Sequence, residues 1–170
     1  MNARERSSVE NGLREIRTVS YLLHPPFLDE AGLLSALRWY STGFAERSGI
    51  RVELEVPDRL ERLPLDAETA LFRVVQESLS NIHRHSGSQT ARIRLRRDAE
   101  TLVMEIEDHG RGISNASLTE IKSGRGVAGV GIAGMTERIK QLGGRFEVVS
   151  NDRGKTGTTI RVRLPVEKDD

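Results

Sequence analysis

The 170-residue sequence contains no cysteine and only 4% aromatic residues. No apolar run in it approaches the roughly 20 residues of a membrane-spanning helix, and no signal peptide begins at Met1. The lack of cysteine excludes disulfides, thiolate zinc sites and thiol catalysis. Because 26 Lys and Arg stand against 25 Asp and Glu, charge gives no reason to expect nucleic acid or an anionic membrane as a partner. We expect a cytoplasmic domain, whose parent protein could still be membrane-anchored.

Two consecutive prolines, Pro25 and Pro26, divide the chain. Proline removes a backbone donor and pushes the preceding residue out of helical geometry, so a helix before it is expected to end at His24. The apolar residues of that helix recur at spacings of three and four: Val9, Leu13, Ile16, Val19 and Leu23. We therefore predict a helical stub and linker over residues 1–26 and one domain over residues 27–170.

The predicted domain mixes helices and strands. Helices are expected over residues 29–49, 66–86 and 132–142, and strands over residues 50–56, 91–97, 101–108, 145–150 and 158–164. Asp29 is a plausible N-cap, and residues 114–128, rich in polar residues and glycine, indicate a mobile loop. This order predicts an α+β fold, a two-layer α/β sandwich with a mixed sheet and helices on one face.

Glu77 and Asn81 lie four residues apart and therefore on one face of the second predicted helix. A carboxylate and an amide oxygen are hard ligands that suit Mg²⁺, which usually keeps several waters and also binds substrate phosphates. Arg84 follows on nearly the same face and could meet a phosphate. The alternative for all three residues is a solvated helix surface.

Asp108 ends an apolar strand and is followed by Gly110 and Gly112. Its carboxylate could accept a hydrogen bond from an exocyclic amine such as that of adenine, and bare backbone beside it would let a flat ring approach. The alternative is an ordinary strand-ending turn, in which Asp and Gly are also common.

A third segment, Gly129-Val130-Gly131, precedes the last predicted helix, where exposed amides and the helix dipole can face a phosphate. It does not open a strand–turn–helix unit with an acidic residue about 20 positions later, as a dinucleotide-binding fold requires. It also lacks the Gly-Lys-Ser or Gly-Lys-Thr of a P-loop.

In this order, the three segments resemble the N, G1 and G2 boxes of the GHKL ATP-binding superfamily, which includes sensor histidine kinases and gyrase-type ATPases. Residues 71–81 (LFRVVQESLSN) and 131–138 (GIAGMTER) are similar to those of the histidine kinases that work with NarL-type response regulators. Residues 23–33 (LHPPFLDEAGL) look like the exit from their dimerisation helices, and residues 157–159 like their closing segment.

The resemblance implies the Bergerat ATP-binding fold and a site for ATP and Mg²⁺. It assigns catalytic and metal-binding roles to Glu77 and Asn81, adenine recognition to Asp108, and the ATP lid to residues 114–128. The remaining nucleotide-binding positions that it implies are Arg84, His85, Gly110, Gly112, Ile113, Gly129, Val130, Gly131 and Thr158. It also implies a homodimeric parent and a NarL-type response regulator as partner.

A histidine kinase of this group presents its acceptor histidine on a helix, normally with an acidic residue directly after it. The four histidines of this chain are followed by Pro25, Arg84, Ser86 and Gly110. None fits the pattern, so the acceptor is expected upstream of this chain. Two other functions remain open: a GHKL-type ATPase in which Glu77 activates water, and an anti-sigma-like nucleotide-binding regulatory module.

Overall fold

The computed structural model describes residues 26–122, 127–150 and 156–166. The helices within them are α1 (Pro26–Ser48), α2 (Leu65–Asn81), α3 (Asn115–Lys122) and α4 (Val127–Gln141), and a π-helical turn (Ile82–Ser86) continues α2. The strands are β1 (Arg51–Glu55), β2 (Thr90–Asp98), β3 (Thr101–Asp108), β4 (Arg145–Ser150) and β5 (Thr158–Pro165).

The strands form one five-stranded sheet in the order β1-β2-β3-β5-β4. β1 pairs with β2 in parallel, and the other neighbouring pairs are antiparallel. The mixed sheet and the α+β class predicted from the sequence are therefore confirmed. β2 and β3 join through a tight turn at Ala99 and Glu100, where Ala99 has a φ of 52°.

The core lies between one face of this sheet and the helices. Alternate residues of the central strands point into it, among them Ile93, Met104, Ile106 and Val162. α2 supplies the facing layer with Leu71, Val74, Val75 and Leu79, all at most 1% exposed. The apolar stripe of α2 thus faces the sheet and leaves its other side available for polar groups.

The opposite face of the sheet carries charged side chains. One row crosses every strand with alternating sign, and its members in spatial order are Glu55, Arg94, Glu105, Arg161 and Glu147. Neighbours in this row lie within salt-bridge distance, the closest pair being Arg161 and Glu105 at 2.7 Å. Cross-strand pairs of opposite charge favour the observed register.

α1 differs from the prediction at its start. It begins at Pro26, with Asp29 inside the first turns, so the N-cap assignment of Asp29 was wrong. Gly32 interrupts the helix with φ 76° and ψ 173°, a conformation that glycine adopts without steric cost. The expected helical stub before Pro26 lies outside the described residues, and the domain boundary there stays a prediction.

The segment expected to be a loop contains α3. Ser114 caps this helix, because its Oγ accepts the N–H of Ser117 at 3.1 Å and its carbonyl accepts that of Leu118 at 2.8 Å. α4 begins at Val127, five residues before its predicted start, and therefore includes Gly131. Intrinsic propensity disfavours helical glycine, but the packing of α4 on α2 and β4 outweighs that preference.

Within the described part of the chain, no helix has both the length and the apolar character needed to cross a bilayer.

Replacement of Leu79 by alanine should lower the free energy of unfolding by about 2–5 kcal/mol, because Leu79 is fully buried where α2 faces the sheet. Leu65→Ala, on the same helix but 49% exposed, should change it by less than about 0.5 kcal/mol. Urea denaturation followed by circular dichroism measures both. Equal effects of the two substitutions would contradict the assigned orientation of α2.

Candidate functional site

α2 positions the first two predicted site residues. Glu77 lies in its last turns and Asn81 is its final residue, and both are partly exposed. Glu77 faces α4: a Cβ added to Gly131 would lie 3.0 Å from the Glu77 Cδ and would collide with Oε1. Gly131 therefore lets the backbone of α4 lie against this carboxylate, and a larger residue at position 131 would displace the end of the Glu77 side chain.

A cleft of about 450 Å³ opens beside this contact, between α1, α2 and α4. Glu77, Ser80 and Gly131 line it, together with the guanidinium-bearing residues Arg73 and Arg138. Gln76 also lines it, and its Oε1 accepts from Arg73 Nη1 at 3.1 Å. The cleft combines one carboxylate with two cations, a setting suited to an anionic ligand or partner group.

The π-helical turn after α2 packs directly against the glycine turn after β3. A Cβ on Gly110 would collide with the carbonyl oxygen of Ser86, and the Arg111 N–H donates to that oxygen at 2.9 Å. The Ser88 Oγ accepts the His109 N–H at 3.2 Å. These contacts hold the turn that begins with Asp108 against the π-helical turn and the residues that follow it.

Asp108 is buried, with 4% of its surface exposed. Its Oδ1 accepts the N–H of Gly110 at 2.7 Å. Burial raises the pKa of Asp108 above its ordinary value, and hydrogen bonds from the backbone of Gly110 and Thr158 oppose that rise. A carboxylate has more acceptor positions than these two bonds use, so it can also accept from a ligand amine.

β5 closes the same turn from the other side. Gly157 has a φ of 126°, and a Cβ on it would lie 2.9 Å from the carbonyl carbon of Asp108. Gly112 has a φ of 74°, and a Cβ there would lie 2.9 Å from the Ser150 Oγ. That hydroxyl accepts the Ile113 N–H at 3.1 Å, so Gly112, Gly157 and Ser150 shape this side of the turn, opposite the contact of Gly110 with Ser86.

The other predicted binding residues occupy different surroundings. Arg84 and His85 are exposed on the π-helical turn, and Thr158, partly buried, begins β5. Gly129 and Val130 belong to the first turn of α4 instead of a loop before it. The N–H groups of the N-cap and of the first three helical residues lack partners within a helix, so the Gly129 amide can still bind a phosphate, whereas the amides of Val130 and Gly131 follow these positions.

The structure thus places the predicted residues in two groups, Glu77 with Gly131 and Asp108 with Gly110 and Thr158. α2 and its π-helical continuation connect the groups. The sequence did not predict the structural parts played by Ser86 and Ser150, since a serine that packs against a distant turn has no local pattern. Gly157 belongs to the closing segment at residues 157–159, but its contact with Asp108 depends on strand pairing.

The chain is 33% identical to the signal transduction histidine-protein kinase/phosphatase DegS of Brevibacillus brevis over 95% of its length. It is also 33% identical to the sensor histidine kinase MctS of Rhizobium johnstonii over 93% of its length. It spans only 39% and 33% of these two relatives.

Among solved structures, the histidine kinase domain of the Erythrobacter litoralis blue-light activated kinase EL346 has the same fold. The TM-score is 0.68 at 20% identity, over 96% of this chain and 82% of the other.

The sequence model for histidine kinase-, DNA gyrase B- and HSP90-like ATPases matches residues 66–168. This range contains both groups of site residues described above, including the helix that bears Glu77 and the buried carboxylate of Asp108. The resemblance noted in the sequence is therefore confirmed, and the chain belongs to the family of histidine kinase-, DNA gyrase B- and HSP90-like ATPases, as an ATP-binding domain.

Proposed function

We propose that this chain is the catalytic ATP-binding domain of a sensor histidine kinase, which transfers the γ-phosphoryl group of ATP to a histidine outside residues 1–170. That histidine would then pass the group to an aspartate of a NarL-type response regulator. The parent would act as a homodimer and hold this domain in the cytoplasm, where ATP is available. The sensor histidine kinases among its relatives support this proposal.

The observation that carries the proposal is the buried carboxylate of Asp108 beside Gly110. Adenine presents an amine donor on a flat ring, and Asp108 provides an acceptor at a place where backbone replaces side chains. The cleft beside Glu77, with its two guanidinium groups, would lie toward the phosphates. Phosphoryl transfer needs mainly positioning and charge neutralisation, and the residues of the two groups can provide both.

Mg²⁺ fits the donors that α2 provides. Within residues 26–122, 127–150 and 156–166, no three His, Cys, Asp or Glu side chains cluster as a metal site. In this proposal Glu77 and Asn81 hold the ion, with water and phosphate oxygens as its other ligands, as is usual for Mg²⁺. The bound ion would neutralise phosphate charge, while Glu77 orients the attacking group.

Replacement of Asp108 by asparagine should weaken binding of an ATP analogue by about 10- to 100-fold, the value of one charge-assisted hydrogen bond. The reason is that the Asn Oδ1 would still accept from Gly110, whereas its amide would turn a donor toward the adenine amine. Isothermal titration calorimetry with a non-hydrolysable analogue measures the change. The control Asp98→Asn, at the 72% exposed end of β2, should leave the affinity unaltered.

The same substitution should not destabilise the domain at pH 7. The pKa of Asp108 is raised in the folded state, so its contribution to stability is greatest below the ordinary carboxyl pKa and is lost as pH rises through the folded value. Asparagine avoids the burial of a charge. A lower melting temperature for Asp108→Asn at pH 7 would make this residue structural instead of ligand-binding.

Removal of Mg²⁺ should distinguish residues that act through the metal ion from residues that bind the nucleotide directly. In wild type, Mg²⁺ should strengthen ATP-analogue binding. Asn81→Ala should abolish most of that gain, because it removes one of the two protein ligands. Its affinity without Mg²⁺ should stay within about twofold of wild type, since Asn81 is partly exposed and its side chain is expected to bind the ion, not the nucleotide directly. Calorimetry with Mg²⁺ or EDTA tests this, with the exposed Gln89→Ala as the matched amide control.

The chain alone should not acquire phosphohistidine. Incubation with γ-labelled ATP should give no acid-labile phosphate, because none of its four histidines has the following acidic residue of an acceptor. An acid-labile label that disappears in His24→Gln would contradict this. Steady ATP hydrolysis that disappears in Glu77→Gln would favour the ATPase alternative.

A further inference from the structure

Arg62 connects the start of α1 to the start of α2 through hydrogen bonds. Its Nη2 donates to the carbonyls of Leu28 at 3.3 Å and Asp29 at 3.2 Å, and its Nη1 donates to Asp29 at 3.2 Å. On its other side, Nε and Nη2 donate to the two carboxylate oxygens of Glu68 at 3.0 and 3.1 Å. One planar guanidinium therefore contacts α1 and α2 at once.

The two carbonyls belong to the part of α1 that precedes the break at Gly32. A helix leaves its last four carbonyls without partners, and Leu28 and Asp29 hold such positions in residues 26–31. A cation at this end also interacts favourably with the helix dipole. Arg62 therefore acts as a C-terminal cap supplied from the loop before α2.

Glu68 fixes the other side of the guanidinium. It lies in the first turns of α2, is 1% exposed, and also accepts the Leu63 N–H at 3.2 Å. A carboxylate this deeply buried needs its partners in place, so Arg62 is held where it reaches residues 26–31. A Cβ on Gly32 would lie 3.3 Å from the Arg62 Cδ, which shows how closely the side chain crosses the break.

We propose that Arg62 is a positioning residue that sets the direction in which the chain enters the ATP-binding domain. By linking residues 26–31 to the first turns of α2, it orients whatever precedes Pro26 relative to Glu77 and Asn81 at the other end of that helix. This inference rests on the proposed function only for its consequence: in a protein that carries the acceptor histidine, loss of the link slows phosphoryl transfer and leaves ATP affinity unaltered.

The absence of cysteine allows two spin labels to be placed without further changes. We would label Glu30→Cys, in the capped segment, and Lys140→Cys, exposed on α4, and measure their distance distribution by double electron–electron resonance. Arg62→Lys should broaden the distribution by about twofold or more, because a single ammonium group cannot hydrogen-bond at once to the three groups that the planar guanidinium contacts. The control Arg97→Lys, which also contacts a carboxylate and a carbonyl, Glu61 and Ala99, should leave the width unaltered.

Two further measurements separate positioning from general stability. Amide exchange in β2 and β3 and the affinity for ADP should each stay within about twofold of wild type in Arg62→Lys, since lysine keeps a positive charge beside the buried Glu68 and the hydrogen bonds of Arg62 go to Glu68, Leu28 and Asp29. Glu68→Gln keeps an acceptor for Leu63 without the charge, and should broaden the distribution in the same way. An unaltered distribution in both variants overturns the proposal, as does faster exchange throughout β2 and β3. Failure of the wild type to bind ADP would overturn the proposed function but not this link.

Discussion

The site depends on backbone packed against backbone without intervening side chains. Gly110 lies on the carbonyl of Ser86, and Gly157 lies on the backbone of Asp108. Both contacts are too close for a Cβ. Glycine at these two positions therefore allows the π-helical turn after α2 and the start of β5 to pack against the turn after β3. This packing confines the Asp108 carboxylate to a buried place with a fixed hydrogen bond from Gly110.

Burial of Asp108 works against stability and in favour of recognition. Desolvation raises the pKa of Asp108, and the hydrogen bonds from backbone N–H groups compensate only part of this rise. An ionised carboxylate held in this way has a strong tendency to accept another hydrogen bond, which a ligand amine can supply. The domain therefore keeps a buried carboxylate with a perturbed pKa at the place where the base is expected to bind, and such groups are common at functional sites.

α2 connects the two ends of the domain. Its apolar side packs on the sheet, its last turns carry Glu77 and Asn81, and its first turns carry the buried Glu68. Because the helix is rigid over this length, an orientation imposed through Arg62 at one end is retained at the other. The cleft toward α4 lies on the polar side of the same helix, so core packing and the chemistry of the site use different faces of one element.

Local pattern was enough for the strands and for α2. Period-two alternation in β1, β2 and β3 and the apolar stripe of α2 are signals that each segment carries within itself, and the structure agrees with them to within a few residues. The prediction was wrong where local preference conflicts with packing. Five glycines among residues 124–134 argue against a helix, yet α4 begins at Val127 because it gains contacts with α2 and β4.

The sequence by itself determined the order of the three boxes, the absence of thiol chemistry and the mixed α+β fold, because composition and periodicity are properties of the chain alone. Only the tertiary structure decided that Glu77 faces Gly131, that Ser86 and Gly157 enclose the Asp108 turn, and that Arg62 bridges two helices. Apart from the Arg62–Glu68 pair, whose members are 6 positions apart, these contacts join residues separated by about 25 to 55 positions in the chain. No local pattern specifies such contacts, since they arise when strand pairing and helix packing bring distant backbone together.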